Sequence, residues 1–388
     1  MQRRASTLFA AAALGVVLIG GCGKERPPAA GDGTSLGPGP TTSGGGGFSQ
    51  DDGTKPPGCG TEPDGTFCEC VDTPLFADAP NMYFVLDRSG SMADQNKWTQ
   101  VRIVVGKIMR AIGPRANFGA MVYPGNMTDA CAPGVEIVPT RPGDPPSSTT
   151  DGPTTKQLLI ASNVPPVGGT PTSATLTAVL PVVQNLPGKT FVILATDGAP
   201  NCNAFEGCGY DRCMLNIENL QGCPKEGPIN CCEPPEGFRQ NCLDAPASVA
   251  AATALKNAGI PVYVIGLPGT SAYTSVLDEL AVAGGTAGPT SPKYLAVDSA
   301  NEAAMLAALK KVAAKIVATC EFNLKDEPAD QKLVNVYIDD KVLPYDPNAT
   351  WKIEGKTVTL LGDTCTKVMN GDVLDVRIIA GCPRVEPR

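Results

Sequence analysis

Asp87, Ser89 and Ser91 stand at alternate positions in the stretch DRSGS, directly after the apolar run MYFVL. Two more oxygen-bearing residues occur in similar company. Thr170 lies in GGTPT at the start of a helix-like segment, and Asp197 lies in LATDGAPN at the end of another apolar run. Taken singly, each has a local account: a serine capping a helix, a threonine N-cap, an Asp-Gly turn. Taken together they offer oxygen donors alone, which suit a hard divalent cation such as Mg2+ or Mn2+ in octahedral geometry. The chain has no histidine in its 388 residues. Ser-His-Asp and Cys-His catalysis, HExxH zinc sites and imidazole ligands are therefore excluded. No GxSxG or SxxK motif surrounds the serines, and Ser89 stands where aspartyl phosphatase chemistry would want a second acid. The set reads as a binding site and not as an enzyme.

These residues need a scaffold that brings distant loops to one edge. The apolar runs MYFVLD, NFGAMVYP, KTFVILATDG, IPVYVIGLP and KYLAVD alternate with segments whose apolar residues recur at helical spacing, beginning with KWTQVRIVVGKIMRAI. That alternation predicts an α/β fold, a doubly wound and mostly parallel sheet with helices on both faces, over residues 81–320. Ligands of such sheets bind outside the C-terminal strand ends, where all three loops fall. Thr170 is expected as a helix N-cap with Pro171 in the first turn. After Cys320 the pattern changes to short period-two strands between Asp/Gly/Asn turns, which predicts a small all-β module over 321–388, without a helix.

The order and context of Asp87-x-Ser89-x-Ser91, Thr170 and Asp197 resemble the von Willebrand factor type A domain and its metal-ion-dependent adhesion site. The resemblance implies that Ser89 and Ser91 ligate through their hydroxyls and Thr170 directly or through water. It implies that Asp87 and Asp197 supply charge and orient the serines. One coordination position would be left for an acidic side chain of a partner protein or surface polymer. Arg88, at the variable position, is expected in solvent, the alternative being a charge beside the site that tunes its affinity. The competing reading is a structural envelope protein whose metal site only stabilises the fold. The net charge of −8 argues against a nucleic-acid surface, and nothing indicates an oligomer.

Residues 1–21 carry two arginines and a short apolar run ending in small residues, as in a secretory signal. Cys22 directly after IGG resembles the bacterial lipoprotein signal, which implies lipidation of that cysteine and export, with Gly23 favouring the outer membrane. An ordinary cleaved signal is the alternative. Residues 22–58 form a Gly/Pro/Ser-rich tether and 59–80 a cysteine-containing lead-in. In an exported protein, the fifteen cysteines read as disulfides. Seven of them lie in an insertion at 201–242, so one partner lies elsewhere. The strand NFGAMVYP should run parallel to the first, placing Cys131 at the same edge, most simply bonded to Cys202. Cys320 is expected to pair with one of Cys59, Cys68 and Cys70, and Cys365 with Cys382. By resemblance to integrin-type domains, a tie at Cys320 would restrain sliding of the last helix and fix the affinity of the site.

Overall fold

A computed structural model describes residues 71–72, 79–144, 151–203, 207–226, 228–235, 237–324, 327–339, 341–380 and 383–385. The signal, the tether, Cys22, Cys59, Cys68, Cys70 and Cys382 lie outside the described residues.

The main sheet is built from β1 (Asn81–Asp87), β2 (Asn117–Tyr123), β3 (Val135–Pro142), β4 (Thr190–Thr196), β5 (Val262–Gly266) and β6 (Leu295–Ala296). Its strand order is β3-β2-β1-β4-β5-β6, with every neighbour parallel except the β2–β3 pair. All seven residues of β1 are buried, as a central strand covered on both faces requires. Alternate residues of β1 serve different layers. Met82, Phe84 and Leu86 pack with α1 (Lys97–Ile112), α2 (Pro153–Ala161) and α6 (Glu302–Val317). Tyr83 and Val85 pack with α3 (Thr172–Val183), α4 (Ala245–Asn257) and α5 (Thr274–Ala283). In α1 the buried set Trp98, Val101, Val105, Ile108 and Ile112 follows one helical face. The protein is thus α/β, with a doubly wound, mostly parallel sheet flanked by helices.

Strand order reverses between β1 and β4, the topological switch point at which open α/β sheets bind ligands. Asp87 ends β1 and Asp197 directly follows β4, so both carboxylates stand at that crevice.

A smaller unit follows α6. Glu321–Asn323, Trp351–Glu354 and Thr357–Leu360 form a three-stranded antiparallel sheet. Val334–Ile338, Lys341–Leu343 and Val376–Ala380 form a second antiparallel sheet, which Val71–Asp72 joins from the lead-in. Phe322, Val336, Trp351, Val358 and Ile378 are among its core. The expectation of no helix in this module is corrected: Gly362–Asn370 is helical and stops at Gly371, whose φ of 78° is left-handed. Only Val368 of the nine is buried, so the segment carries no helical stripe to read.

The same helix changes the disulfide pattern. Cys320 is bonded to Cys365, with Cα atoms 5.3 Å apart. This replaces the expected pairings of Cys320 with the lead-in and of Cys365 with Cys382. The unforeseen helix carries Cys365 back beside the end of α6. The bond therefore ties α6 to the following module rather than to the entry of β1, and the expectation of a clamped last helix loses its basis. No described helix is long and apolar enough to cross a membrane.

The N-terminus of α2 depends on one buried acid. Asp144 accepts hydrogen bonds from the amides of Thr154 and Thr155, both at 2.8 Å, and from Thr155 Oγ1 at 2.6 Å. Burial alone would raise its pKa, but these donations outweigh it and hold the carboxyl below its ordinary value. Its stabilising contribution is present above the unfolded-state pKa and is lost as pH falls through the lower folded value. Asp144→Ala is expected to cost about 1–2 kcal/mol at neutral pH. Urea melts at neutral and acid pH should show that deficit shrinking in acid.

Candidate metal centre

Three loops meet at the switch point, and backbone hydrogen bonds stitch them together. The Arg88 amide donates to Tyr123 O at 2.7 Å, Val167 N donates to Arg88 O at 2.8 Å, and Gly90 N donates to Gly168 O at 2.9 Å. The Asp87 carboxylate is fully engaged. Its Oδ1 accepts from Ser89 N at 2.7 Å and its Oδ2 from Thr196 Oγ1 at 2.5 Å. Ser89 Oγ lies 3.2 Å from Ser91 Oγ, and Ser91 Oγ donates to Asp197 Oδ1 at 2.8 Å. Thr170 completes the group from across the crevice. A Cβ on Gly198 would sit 3.4 Å from Thr170 Oγ1 and 3.8 Å from Ser91 Oγ, so these hydroxyls flank a cradle left open by a glycine.

All five singled-out residues thus converge on one spot. Asp87, Ser89, Thr170 and Asp197 are buried, while Ser91 is exposed at the rim. Thr170 is not the helix cap expected for it. Helix α3 starts at Thr172 with Pro171 in the cap position, which leaves Thr170 one residue outside. Thr170 is fixed instead by Asn201, whose Oδ1 accepts the Thr170 amide at 2.6 Å and whose own amide donates to Thr170 O at 3.0 Å.

Two cations of the region are buried. Arg88 is not solvated but 2% exposed, its guanidinium donating to Pro165 O at 3.0 Å and lying beside Met127 Sδ. The loops after β2 and before Thr170 close over it. Lys97 was not singled out in the sequence at all. It is 5% exposed, its Nζ makes an ion pair with Asp197 Oδ2, and it donates to Pro268 O at 3.1 Å. A signal for it existed. A lysine in the first turn of a helix opposes the helix dipole, and such a conflict marks a residue held for another reason.

Electrostatics sharpen the picture. Burial raises the Asp87 carboxyl from its ordinary 3.8 to about 7, the charge of Asp197 adding to burial while Thr196 and Ser89 oppose it. Burial also raises Asp197, opposed chiefly by Lys97 and then by Ser91. Two buried carboxylates sharing one crevice raise each other's cost, a situation that a cation relieves. The donor set fits a hard divalent ion: hydroxyl and carboxylate oxygens around a glycine-floored cradle, with an ammonium already resting on one carboxylate.

The insertion starts where the site ends. Cys202, one residue past Asn201, is bonded to Cys131 in the loop after β2, with Cα atoms 5.3 Å apart. Gly169 N donates to Ala130 O at 2.9 Å across the same junction. Three more disulfides, Cys208–Cys242, Cys213–Cys232 and Cys223–Cys231, hold the insertion. Buried Asn216 knits it further, donating to Pro224 O and Ile229 O and accepting from Cys231 N.

No protein-family model and no curated relative matches the chain. Among solved structures, the pilus adhesin SpaC from Lactobacillus rhamnosus GG is similar at 16% identity and a TM-score of 0.46, over 78% of this chain and 39% of that one. The vWF domain of the type V pili tip protein Mfa5 from Porphyromonas gingivalis is similar at 14% identity and a TM-score of 0.42, over 62% of this chain and 96% of that one. The PilB minor pilin from Streptococcus sanguinis is similar at 18% identity and a TM-score of 0.40, over 62% and 61%. This chain therefore spans about two fifths of the SpaC chain it matches.

Proposed function

We propose that the protein is an exported, lipid-anchored binding module that captures a partner protein or surface polymer through a divalent cation, Mg2+ or Mn2+. The observation that carries this reading is the convergence of Ser89 Oγ, Ser91 Oγ and Asp197 Oδ1 within hydrogen-bond reach, from two loops over a hundred residues apart, at the switch point of the sheet. Ser89, Ser91 and Thr170 would hold the ion through their hydroxyls. Asp87, whose two oxygens are already committed to Ser89 and Thr196, would orient the serine loop and supply charge, as Asp197 would from the other side. A bound divalent ion would supply an electrophilic centre for a carboxylate of the partner. The exposed position of Ser91 supports access for that carboxylate, which an ion serving the fold alone would not need.

Lipid attachment through Cys22 would place the module on a membrane, and the tether would let it reach outward. The chain would act as a monomer.

Separating capture from scaffolding needs a variant that spares the fold. Asp197 is unsuitable, because its removal would strand the buried Lys97 ammonium. Ser91→Ala is suitable, since Ser91 is exposed and contacts the site alone. Wild type is expected to be retained on a glutamate-bearing resin in Mn2+ and released by a chelator. Ser91→Ala should lose retention while its melting temperature moves by no more than about 3 °C. Retention that survives in the variant, or in chelator, would refute capture through the ion.

A further inference from the structure

Lys97 is poorly explained as a stabilising residue. It is 5% exposed at the first position of α1, where the helix dipole disfavours a cation, and burial of an ammonium is costly even when paired. Yet the structure is built to hold the ammonium. Asp197 Oδ2 meets it on one side and Pro268 O accepts from it at 3.1 Å on another. The loop carrying that carbonyl turns at Gly269, whose φ of 121° excludes other residues without strain, and a Cβ there would sit 2.9 Å from Asp197 O. Lys97 thus touches the carboxylate that faces Ser91, while Arg88, the other buried cation nearby, is directed at Pro165 and Met127.

We propose that Lys97 determines the ligand class of the site, acting as a fixed cation that makes the loaded centre net positive and so selective for a carboxylate over a neutral group. This rests on the divalent-ion reading above. Asp87 and Asp197 contribute two negative charges, which would neutralise a divalent ion. Lys97 takes up one of them, leaving the loaded centre one positive charge in excess. The excess is offset when an anionic ligand arrives and is not offset by a hydroxyl or an amide. The same charge weakens the ion's own hold, because Lys97 competes for Asp197. Lys97 therefore trades affinity for the ion against affinity for the ligand. It is a specificity-determining residue that need not touch the ligand.

The test is Lys97→Met, which keeps the length of the side chain and removes its charge. Two quantities are read at about pH 8, above the ordinary carboxyl range. One is the affinity of the metal-stripped protein for Mn2+. The other is the affinity of the Mn2+-loaded protein for a short peptide with one glutamate, against the same peptide with glutamine. Wild type should prefer the glutamate peptide. In the variant, Mn2+ should bind about tenfold or more tightly, and the glutamate peptide about tenfold more weakly, so that the preference over glutamine collapses. Opposite signs are the signature, since a merely structural role would weaken both. Lys97→Gln, which keeps a donor for Pro268 O, should show the same pair of signs if Lys97→Met folds poorly. Both affinities unchanged, both moving together, or no glutamate preference in wild type would overturn the proposal. Absence of Mn2+ binding by wild type would instead refute the metal site itself.

Discussion

Asp87→Asn is expected to lose Mn2+ binding by at least about a hundredfold while making the metal-free protein more stable. The two effects share a cause. Asp87 is fully buried, and burial together with the charge of Asp197 raises its carboxyl to about 7. A carboxyl raised from 3.8 to about 7 on folding binds its proton more tightly in the folded state. The metal-free wild type should therefore lose stability as pH rises from about 4 to about 7. Asparagine removes the charge and keeps the shape. Its carbonyl can accept from Ser89 N, and its amide can face Thr196 Oγ1, which has Gly198 O as a second acceptor. The stability gain should be absent near pH 4 and reach roughly 1–3 kcal/mol at pH 7 and above. Chelated protein melted in urea across that range gives the gain, and a Mn2+ titration gives the loss. An Asp87→Asn protein that is less stable at neutral pH would mean that the carboxylate serves the fold and not an ion.

Replacing Cys131 and Cys202 together by serine should produce the second large effect. Their bond closes a loop of 71 residues, and releasing it should cost about 4 kcal/mol and roughly 10 °C in melting temperature. The loss should also reach the site. The bond holds the loop after β2 against the entry of the insertion, at the point where Gly169 N meets Ala130 O and Asn201 fixes Thr170. Mn2+ affinity should fall by about tenfold, as when groups that orient metal ligands are lost. An unchanged Mn2+ affinity with a lowered melting temperature would confine the disulfide to stability.

The central place of two strands could be anticipated from the sequence because a strand buried on both faces must be apolar throughout, as Asn81–Asp87 and Thr190–Thr196 nearly are. The edge strand Val135–Pro142 gave no such signal. It mixes Glu136, Pro139 and Arg141 into a half-exposed segment, as edge strands do to avoid unwanted pairing. Convergence of Asp87, Ser89, Ser91 and Asp197 followed from strand ends, because a doubly wound sheet brings those loops to one edge, whereas Thr170 stands before a helix and joined them through the resemblance of the whole set. What stayed hidden depends on packing at a distance. Lys97 reads as the polar start of an amphipathic helix until the loop at Pro268 folds over it, and Arg88 reads as a surface cation until two loops cover it. The partner of Cys320 was hidden by a helix with one buried residue, since without that helix Cys365 has no reason to lie near α6.

The most direct measurement is a calorimetric titration of Mn2+ into the metal-stripped, oxidised protein, with and without a glutamate peptide, beside Asp87→Asn. Saturable binding of a single ion in wild type, lost in the variant, is the expected result. Failure of wild type to bind Mn2+ even with the peptide present would contradict the cation-dependent site.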